Sequence, residues 1–446
     1  MKILVLGAGK SATSLINYLL DKSTTYNWQI TVGDLNIGAA KHKIDGHANG
    51  RAISFDVFSE TDNDKHVAKN DIIVSLLPPA FHDKVAPYCV KHKKHMVTAS
   101  YLSPTIKAMD ADFKANGKVF MGEIGLDPGI DHLAIMDMVD RIKAKGGKLS
   151  RLGSYTGALI APESDTNPWH YKFSWAPMNV VKAGQGISQY LHEEKVKYIP
   201  YNRLFTTYLE RNVEGTGQFE IYPNRNSMEY IEKYDLHGIA TFLRGTMRYK
   251  GYCDGWNSFV KLGWTNDSYQ IPVPATYTDL LRSYLPIKYL EGNDIKTATA
   301  NFLGIAINSQ PIQQLDWLGL FDNVAINIDK ATETPARVLC HLLSGKWVLE
   351  PTDKDLIVMI HEMTYELDGK KHQLDATLVC KGNDSEDTAI SQTVGLPLGM
   401  MVKLIATGEF DKAGVNMPLA KKVYAPILKE LQEYGIAFEE VEREIT

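Results

Sequence analysis

Apolar residues in the first ~125 positions come in short runs, separated by stretches with helical spacing. The runs at 3–6, 29–33, 52–55, 71–77, 95–100 and 119–123 have the length of buried strands. Between the first two, Leu15, Ile16, Leu19 and Leu20 recur as one face of a helix. Strands alternating with helices predict an α/β domain, a Rossmann-type doubly wound parallel sheet. From about residue 149 the pattern changes. Segments 149–155, 219–222, 241–249 and 256–262 read as longer, aromatic-rich strands, which predicts an α+β domain with a largely antiparallel sheet. Residues 277–344 read as mostly helical, with Leu280, Leu281, Tyr284 and Leu285 on one face. Strands at 356–366 and 372–379 flank Asp368-Gly369, a hairpin-turn pair, and 391–407 and 420–434 close the chain as helices. No internal repeat and no block of like charge interrupts this order.

The first strand runs into Gly7-Ala8-Gly9-Lys10-Ser11-Ala12, the G-x-G-x-x-A form of a dinucleotide loop. Gly7 permits the tight turn, Gly9 lets backbone approach a pyrophosphate, and Ala12 lets the helix pack on the sheet. The helix N-terminus then offers free N–H groups to phosphate. Asp34 ends the second strand, where a carboxylate accepts both ribose hydroxyls of NAD and repels a 2′-phosphate. Lys10, Ser11, Asp56, Val57, Leu77 and Pro78 are further expected cofactor contacts.

Composition narrows the class. The 446 residues are 44% hydrophobic and 23% charged, with a net charge of −5, which supplies no general attraction to nucleic acid or to an anionic membrane. No nucleic-acid or membrane partner is expected. Cys89, Cys253, Cys340 and Cys380 are scattered, as in reduced thiols, and no signal peptide is read before the first strand, so a cytoplasmic location is expected. The histidines form no H-x-x-x-H or H-E-x-x-H pair, and no G-x-S-x-G elbow is present. Hydride transfer without a metal is the expected chemistry.

Between residues 71 and 175 the sequence resembles one family. Ser75-Leu76-Leu77-Pro78, Val97-Thr98-Ala99-Ser100-Tyr101 and the run Gly122-Glu123-Ile124-Gly125-Leu126-Asp127-Pro128-Gly129-Ile130-Asp131-His132 are similar to the saccharopine dehydrogenase family. Ser154-Tyr155-Thr156-Gly157-Ala158, Asn167-Pro168 and Tyr171-Lys172-Phe173-Ser174-Trp175 continue the likeness. So do Tyr222-Pro223-Asn224-Arg225-Asn226-Ser227, Arg244-Gly245-Thr246-Met247-Arg248-Tyr249, Trp317-Leu318-Gly319 and Val394-Gly395-Leu396-Pro397. The resemblance implies three parts: a dinucleotide domain at 1–126 completed by about 390–446, a substrate domain at 127–275 and about 345–389, and a small helical domain at about 276–344. It implies an NAD(P)-dependent oxidoreductase of lysine metabolism acting on the C–N bond of an amino-acid-derived secondary amine or its imine, with a homodimer as a possible assembly.

A multiply acidic substrate calls for forked, bidentate cations, for which Arg225 and Arg244 are the candidates. Ser100, Tyr101 and Asp127 fall at the carboxyl edge of the parallel sheet, where such sheets bind ligands. Tyr101 and Asp127 are the acid/base candidates; Phe173 and Thr246 join Ser100 as expected substrate contacts. Asp131 and His132 read as caps of the following helix. Two positions depart from the family pattern: Thr156 replaces a cysteine, and Asp34 favours NAD where the family favours NADP. Two other readings stand beside the first. A carboxynorspermidine dehydrogenase-like enzyme would recruit acidic residues such as Glu163, Asp165 and Glu214, and a non-catalytic dinucleotide sensor would need only the first domain.

Overall fold

The apolar runs near the N-terminus become parallel strands, and those at the centre of the sheet are buried on both faces. The strands are β1 (Lys2–Leu6), β2 (Gln29–Asp34), β3 (Gly50–Ser54), β4 (Ile72–Ser75), β5 (His95–Thr98) and β6 (Val119–Met121). In this computed structural model, which describes residues 1–445, they pair in the order β3-β2-β1-β4-β5-β6. Leu4 lies opposite Thr31 on one side and Ile73 on the other. The order reverses between β1 and β4, the switch point at which doubly wound sheets bind ligands. Several strands stop short of the apolar runs: β4 ends at Ser75 and β5 at Thr98. Residues 76–78 and 99–101 are therefore loops at the carboxyl edge.

The C-terminal segment returns to this sheet, as the family resemblance implies. Strand Gly414–Asn416 pairs parallel with β6, a seventh strand absent from the sequence reading. Helix Ala389–Ala406 packs on helix Thr13–Tyr26 at a crossing only glycine permits, since a Cβ on Gly395 would sit 2.6 Å from the Leu15 backbone nitrogen. Ser391 Oγ accepts the Ser14 N–H at 3.0 Å across the same contact. The buried Asp355 carboxylate accepts the Ala389 and Ile390 N–H groups, satisfying donors that a helix start leaves open. This helix is 18 residues long and apolar enough to cross a membrane, but 78% of it is buried inside the protein.

The chain divides into two units. The first holds Met1–Ser150, Glu232–His237 and the chain from Lys354 on; the second holds Arg151–Ile231 and Gly238–Asp353. The hairpin Asp355–Leu367 and Lys370–Lys381 falls within the first unit. Its turn is as expected, with φ of +51° at Asp368 and +75° at Gly369. A last strand, Phe438–Ile445, extends this hairpin.

In the second unit, β7 (Lys148–Ile160, of this unit from Arg151), β8 (Ile187–His192), β9 (Lys195–Pro200), β10 (Leu209–Val213), β11 (Gly217–Pro223) and β12 (Thr241–Tyr249) make a mixed sheet. β12 runs parallel to β7 and antiparallel to β11. Two expectations need correction. Residues 256–262 are not a strand but part of helix Tyr252–Leu262. Tyr252, Trp256 and Phe259 are buried at helical spacing, and the aromatic content of a short window imitated a strand. Nor do residues 276–344 form a separate domain. Leu280, Leu281 and Leu315 share one core with Trp169, Tyr222 and Trp256.

The helix crossing gives a direct test. Gly395→Ala should lower stability by about 1–3 kcal/mol through overpacking against backbone. Gly345→Ala, exposed in helix Pro335–Lys346 with open space at the Cβ position, should raise it by about 0.5–1 kcal/mol. Thermal denaturation of both variants checks the pair, and equal shifts would contradict the packing account.

Candidate active site

The glycine loop is fixed before any ligand arrives. Gly7 has φ of +101°, and a Cβ there would lie 3.2 Å from the Leu76 carbonyl, so glycine is required twice over. Its N–H donates to the Gly33 oxygen at 2.9 Å, and the Ala8 N–H donates to Asp34 Oδ2 at 2.8 Å. Gly9 differs: its φ is ordinary, at −73°, and a Cβ would meet nothing within 4 Å. The space beside the Gly9 backbone is therefore open to a ligand. The Thr13 hydroxyl, buried just after the loop, also has no partner among the described residues. Both features fit a dinucleotide pyrophosphate. Lys10 is exposed, Ser11 partly buried and Ala12 buried.

Asp34 Oδ1 accepts the Asn36 N–H at 2.8 Å, while Asn36 caps helix Ile37–Ile44 by accepting from Gly38 and Ala39. Leu35 between them is 74% exposed. Asp56 braces its own turn, accepting from the Phe58 N–H at 2.9 Å, and Val57 is buried beside it. Leu77 is partly buried and Pro78 exposed.

At the carboxyl ends of β4 and β5 stands a polar cluster. Tyr101 Oη donates to Asp127 Oδ1 at 3.2 Å, which brings the two expected acid/base residues together. His82, from helix Pro79–Lys91, bonds Ser75 Oγ through Nδ1 and Ser100 Oγ through Nε2, both at 2.8 Å. Burial pushes its pKa down to about 4, against a small opposing effect of Asp83. Behind Asp127, the buried His132 meets Glu123 Oε2 at 3.1 Å and Tyr234 Oη at 2.5 Å. Burial acts to raise the Glu123 carboxyl, but the His132 contact, the Lys233 charge and the Leu102 N–H together hold the group below its ordinary value. Asp131 Oδ1 accepts the Gly129 N–H at 2.6 Å, a cap at the start of helix Ile130–Ala144 as expected; His132 instead anchors the loop.

The second unit carries the cations. Arg244 is buried on β12, with its guanidinium 4.3 Å from the centre of the Tyr230 ring. Its backbone N–H donates to Ser227 Oγ and its backbone carbonyl accepts from the Asn224 N–H, which docks the 224–227 turn on the strand. Arg225 in that turn is exposed, with φ of +49°. Thr246 lies on the same face of β12, opposite Tyr222 on β11 and Thr156 on β7. The Thr156 hydroxyl is buried without a partner among the described residues. Phe173 is a core side chain, its ring 5.2 Å from Trp347 and 6.1 Å from Tyr171. Arg248, two residues beyond Thr246, is buried among the rings of Tyr171, Tyr222 and Tyr252.

The sequence reading missed His82, Glu123 and Arg248. His82 had a signal: it shares a buried stripe with Val85, Ala86 and Cys89 at i, i+3, i+4 and i+7. Arg248 had one too, the two-residue alternation from Arg244. Glu123 had none, since its pairing with His132 depends on the loop between them. Among the described residues no group of three or more His, Cys, Asp or Glu side chains is placed to hold a metal ion.

Two family models match the chain: the saccharopine dehydrogenase NADP binding domain over residues 3–121, and the saccharopine dehydrogenase C-terminal domain over residues 125–436. Saccharopine dehydrogenase [NADP(+), L-glutamate-forming] of Pyricularia oryzae is 31% identical over 449 residues, covering 98% of both chains. The mitochondrial alpha-aminoadipic semialdehyde synthase of Bos taurus is 32% identical over 455 residues, covering 98% of this chain; the chain spans 47% of that relative's length. Among solved structures, apo saccharopine dehydrogenase (L-Glu forming) from Saccharomyces cerevisiae superposes with a TM-score of 0.88 at 28% identity, over 99% of each chain.

The buried imidazole sets a pH dependence. An unfolded histidine titrates near 6.5 and His82 near 4, so between those values the unfolded chain takes up a proton that the folded chain refuses. This contribution is complete above pH 6.5 and is lost as pH falls through 4, by about 3 kcal/mol. Wild-type thermal stability should fall more steeply between pH 6.5 and 4 than that of His82→Gln. Parallel profiles would contradict the assignment. The Thr156 hydroxyl gives a second test: Thr156→Val should leave the melting temperature unchanged or raise it, because a buried unpartnered hydroxyl costs stability. A clear fall would mean that the hydroxyl is bonded within the protein.

Proposed function

Because the chain belongs to the saccharopine dehydrogenase family, we propose that it oxidises the C–N bond of saccharopine with a nicotinamide dinucleotide, or reduces the corresponding imine in reverse. The observation that carries this reading is the Tyr101–Asp127 pair at the carboxyl edge of the sheet that begins with the glycine loop. The dinucleotide, when bound, takes or gives the hydride. The residues of the chain manage the rest. In the oxidative direction the amine nitrogen loses a proton as its carbon loses hydride, and Asp127 accepts that proton with Tyr101 steadying the carboxylate. Water then adds to the imine carbon, and collapse of the adduct releases aminoadipate semialdehyde and glutamate, with the nitrogen remaining on glutamate. Arg244 is the proposed grip for a substrate carboxylate, because a forked guanidinium suits an acidic substrate better than a polyamine.

We further propose a preference for NAD over NADP, unlike the NADP(+) in the names of the fungal relatives. The support is local. Asp34 holds a carboxylate beside the loop, the next side chain is the uncharged Leu35, and Asn36 already occupies the open N–H groups of the next helix. A 2′-phosphate would face a negative charge with no adjacent cation at Leu35.

Steady-state assays test both statements. Cofactor reduction should depend on saccharopine, and kcat/KM should favour NAD by about ten-fold or more, a penalty in line with an unscreened like-charge contact. A ten-fold preference for NADP would overturn the Asp34 argument. Arg244→Lys should lose about 30- to 1000-fold in kcat/KM because the planar fork is lost, with the cofactor KM nearly unchanged. Arg225→Lys, at an exposed position, should lose less than about ten-fold. Full activity of Arg244→Lys would remove the anchor.

A further inference from the structure

We propose that His82 is a positioning residue, which holds the Ser100 hydroxyl in place for the substrate; the inference rests on the function proposed above. The ring bridges the last residues of β4 and β5 and the loop that leaves β5. Its Nδ1 meets Ser75 Oγ at 2.8 Å, and its Nε2 meets Ser100 Oγ at 2.8 Å and Thr98 Oγ1 at 3.1 Å. Thr98 Oγ1 also accepts the Ser100 backbone N–H at 3.3 Å. Side chain and backbone of Ser100 are thus fixed by two neighbouring groups. The next residue, Tyr101, carries the hydrogen bond to Asp127, so the same clamp sets the acid/base pair.

Burial shows which end of the chain meets a ligand. Ser75 and Thr98 are 0% and 1% exposed, whereas Ser100 is only partly buried. Among the described residues the Ser75 hydroxyl meets no side chain but the ring, so the hydrogen-bond chain ends there without reaching solvent. It therefore does not conduct protons to bulk water, and its role is to orient. A neutral imidazole has one N–H and one lone pair. With hydrogen on Nε2, Ser100 accepts from the ring and turns its own hydrogen to a ligand oxygen. With hydrogen on Nδ1, Ser100 donates to Nε2 and offers lone pairs to a ligand N–H. Either tautomer keeps the oxygen in place, so Ser100 matches a carboxylate or an amine on the substrate. The negative group nearest in sequence, Asp83, is engaged by Ser103 Oγ at 2.6 Å.

A double-mutant cycle on kcat/KM for saccharopine tests this. Ser100→Ala and His82→Phe should each lose about 10- to 100-fold, mainly in kcat, with the dinucleotide KM changed less than about three-fold. If His82 acts through Ser100, the double variant should be within about three-fold of the worse single variant. Losses that multiply would overturn the proposal and leave His82 a structural residue. Should His82→Phe fail to fold, Ser75→Ala removes the far support and keeps the ring. It should lower kcat in the wild-type background and have no further effect on Ser100→Ala; an equal effect in both overturns the coupling. The nitrogen-15 shifts of His82 give a readout independent of turnover. They should report a neutral ring at pH 6–8 and move in Ser100→Ala. Unmoved shifts overturn the proposal, whereas wild-type inactivity on saccharopine with moving shifts defeats only the functional reading.

Discussion

A parallel sheet covered on both faces leaves its polar chemistry one outlet, the carboxyl ends of its strands. Ile3, Leu4, Val5, Ile72, Ile73 and Val74 are completely buried, so neither face of the strand centres can present a functional group. The first polar side chains appear where strands stop, at Ser75 and Thr98, and each is bonded to the same imidazole. The glycine loop leaves β1 at this edge, and its turn is possible only because Gly7 lies against the Leu76 backbone without a side chain. The cofactor loop and the loop before helix Pro79–Lys91 are therefore built as one piece.

The second unit solves a different problem. Its sheet carries two arginines on one face of β12, and a buried guanidinium needs either a carboxylate or an aromatic face. Arg248 is surrounded by three tyrosine rings, and Arg244 stacks on one. Rings attract the cation without neutralising it.

The parallel sheet was legible because strands buried on both faces are continuous apolar runs, and Gly7, Gly9 and Asp34 stood at fixed distances from the first of them. The strand ends were less so: the runs at 71–77 and 95–100 continue past the last ladder bond, and only pairing shows that Leu76 and Ala99 are already loop. Trp256 misled because an aromatic residue suits a strand or a buried helix face equally, and only the burial of Tyr252 and Phe259 settles the period. Residues made functional by distant partners left the weakest trace. Glu123 and Tyr234 are joined through His132 across 111 positions of sequence, a relation no local spacing encodes.

The central claim is that hydride moves to or from the carbon that the nitrogen leaves. The most direct measurement supplies aminoadipate semialdehyde, glutamate and a nicotinamide cofactor carrying deuterium at the transferred position, followed by mass spectrometry of the product. The account predicts saccharopine with one deuterium on the methylene carbon that was the aldehyde. Deuterium on the α-carbon of the glutamate portion, or an unlabelled product, would contradict it.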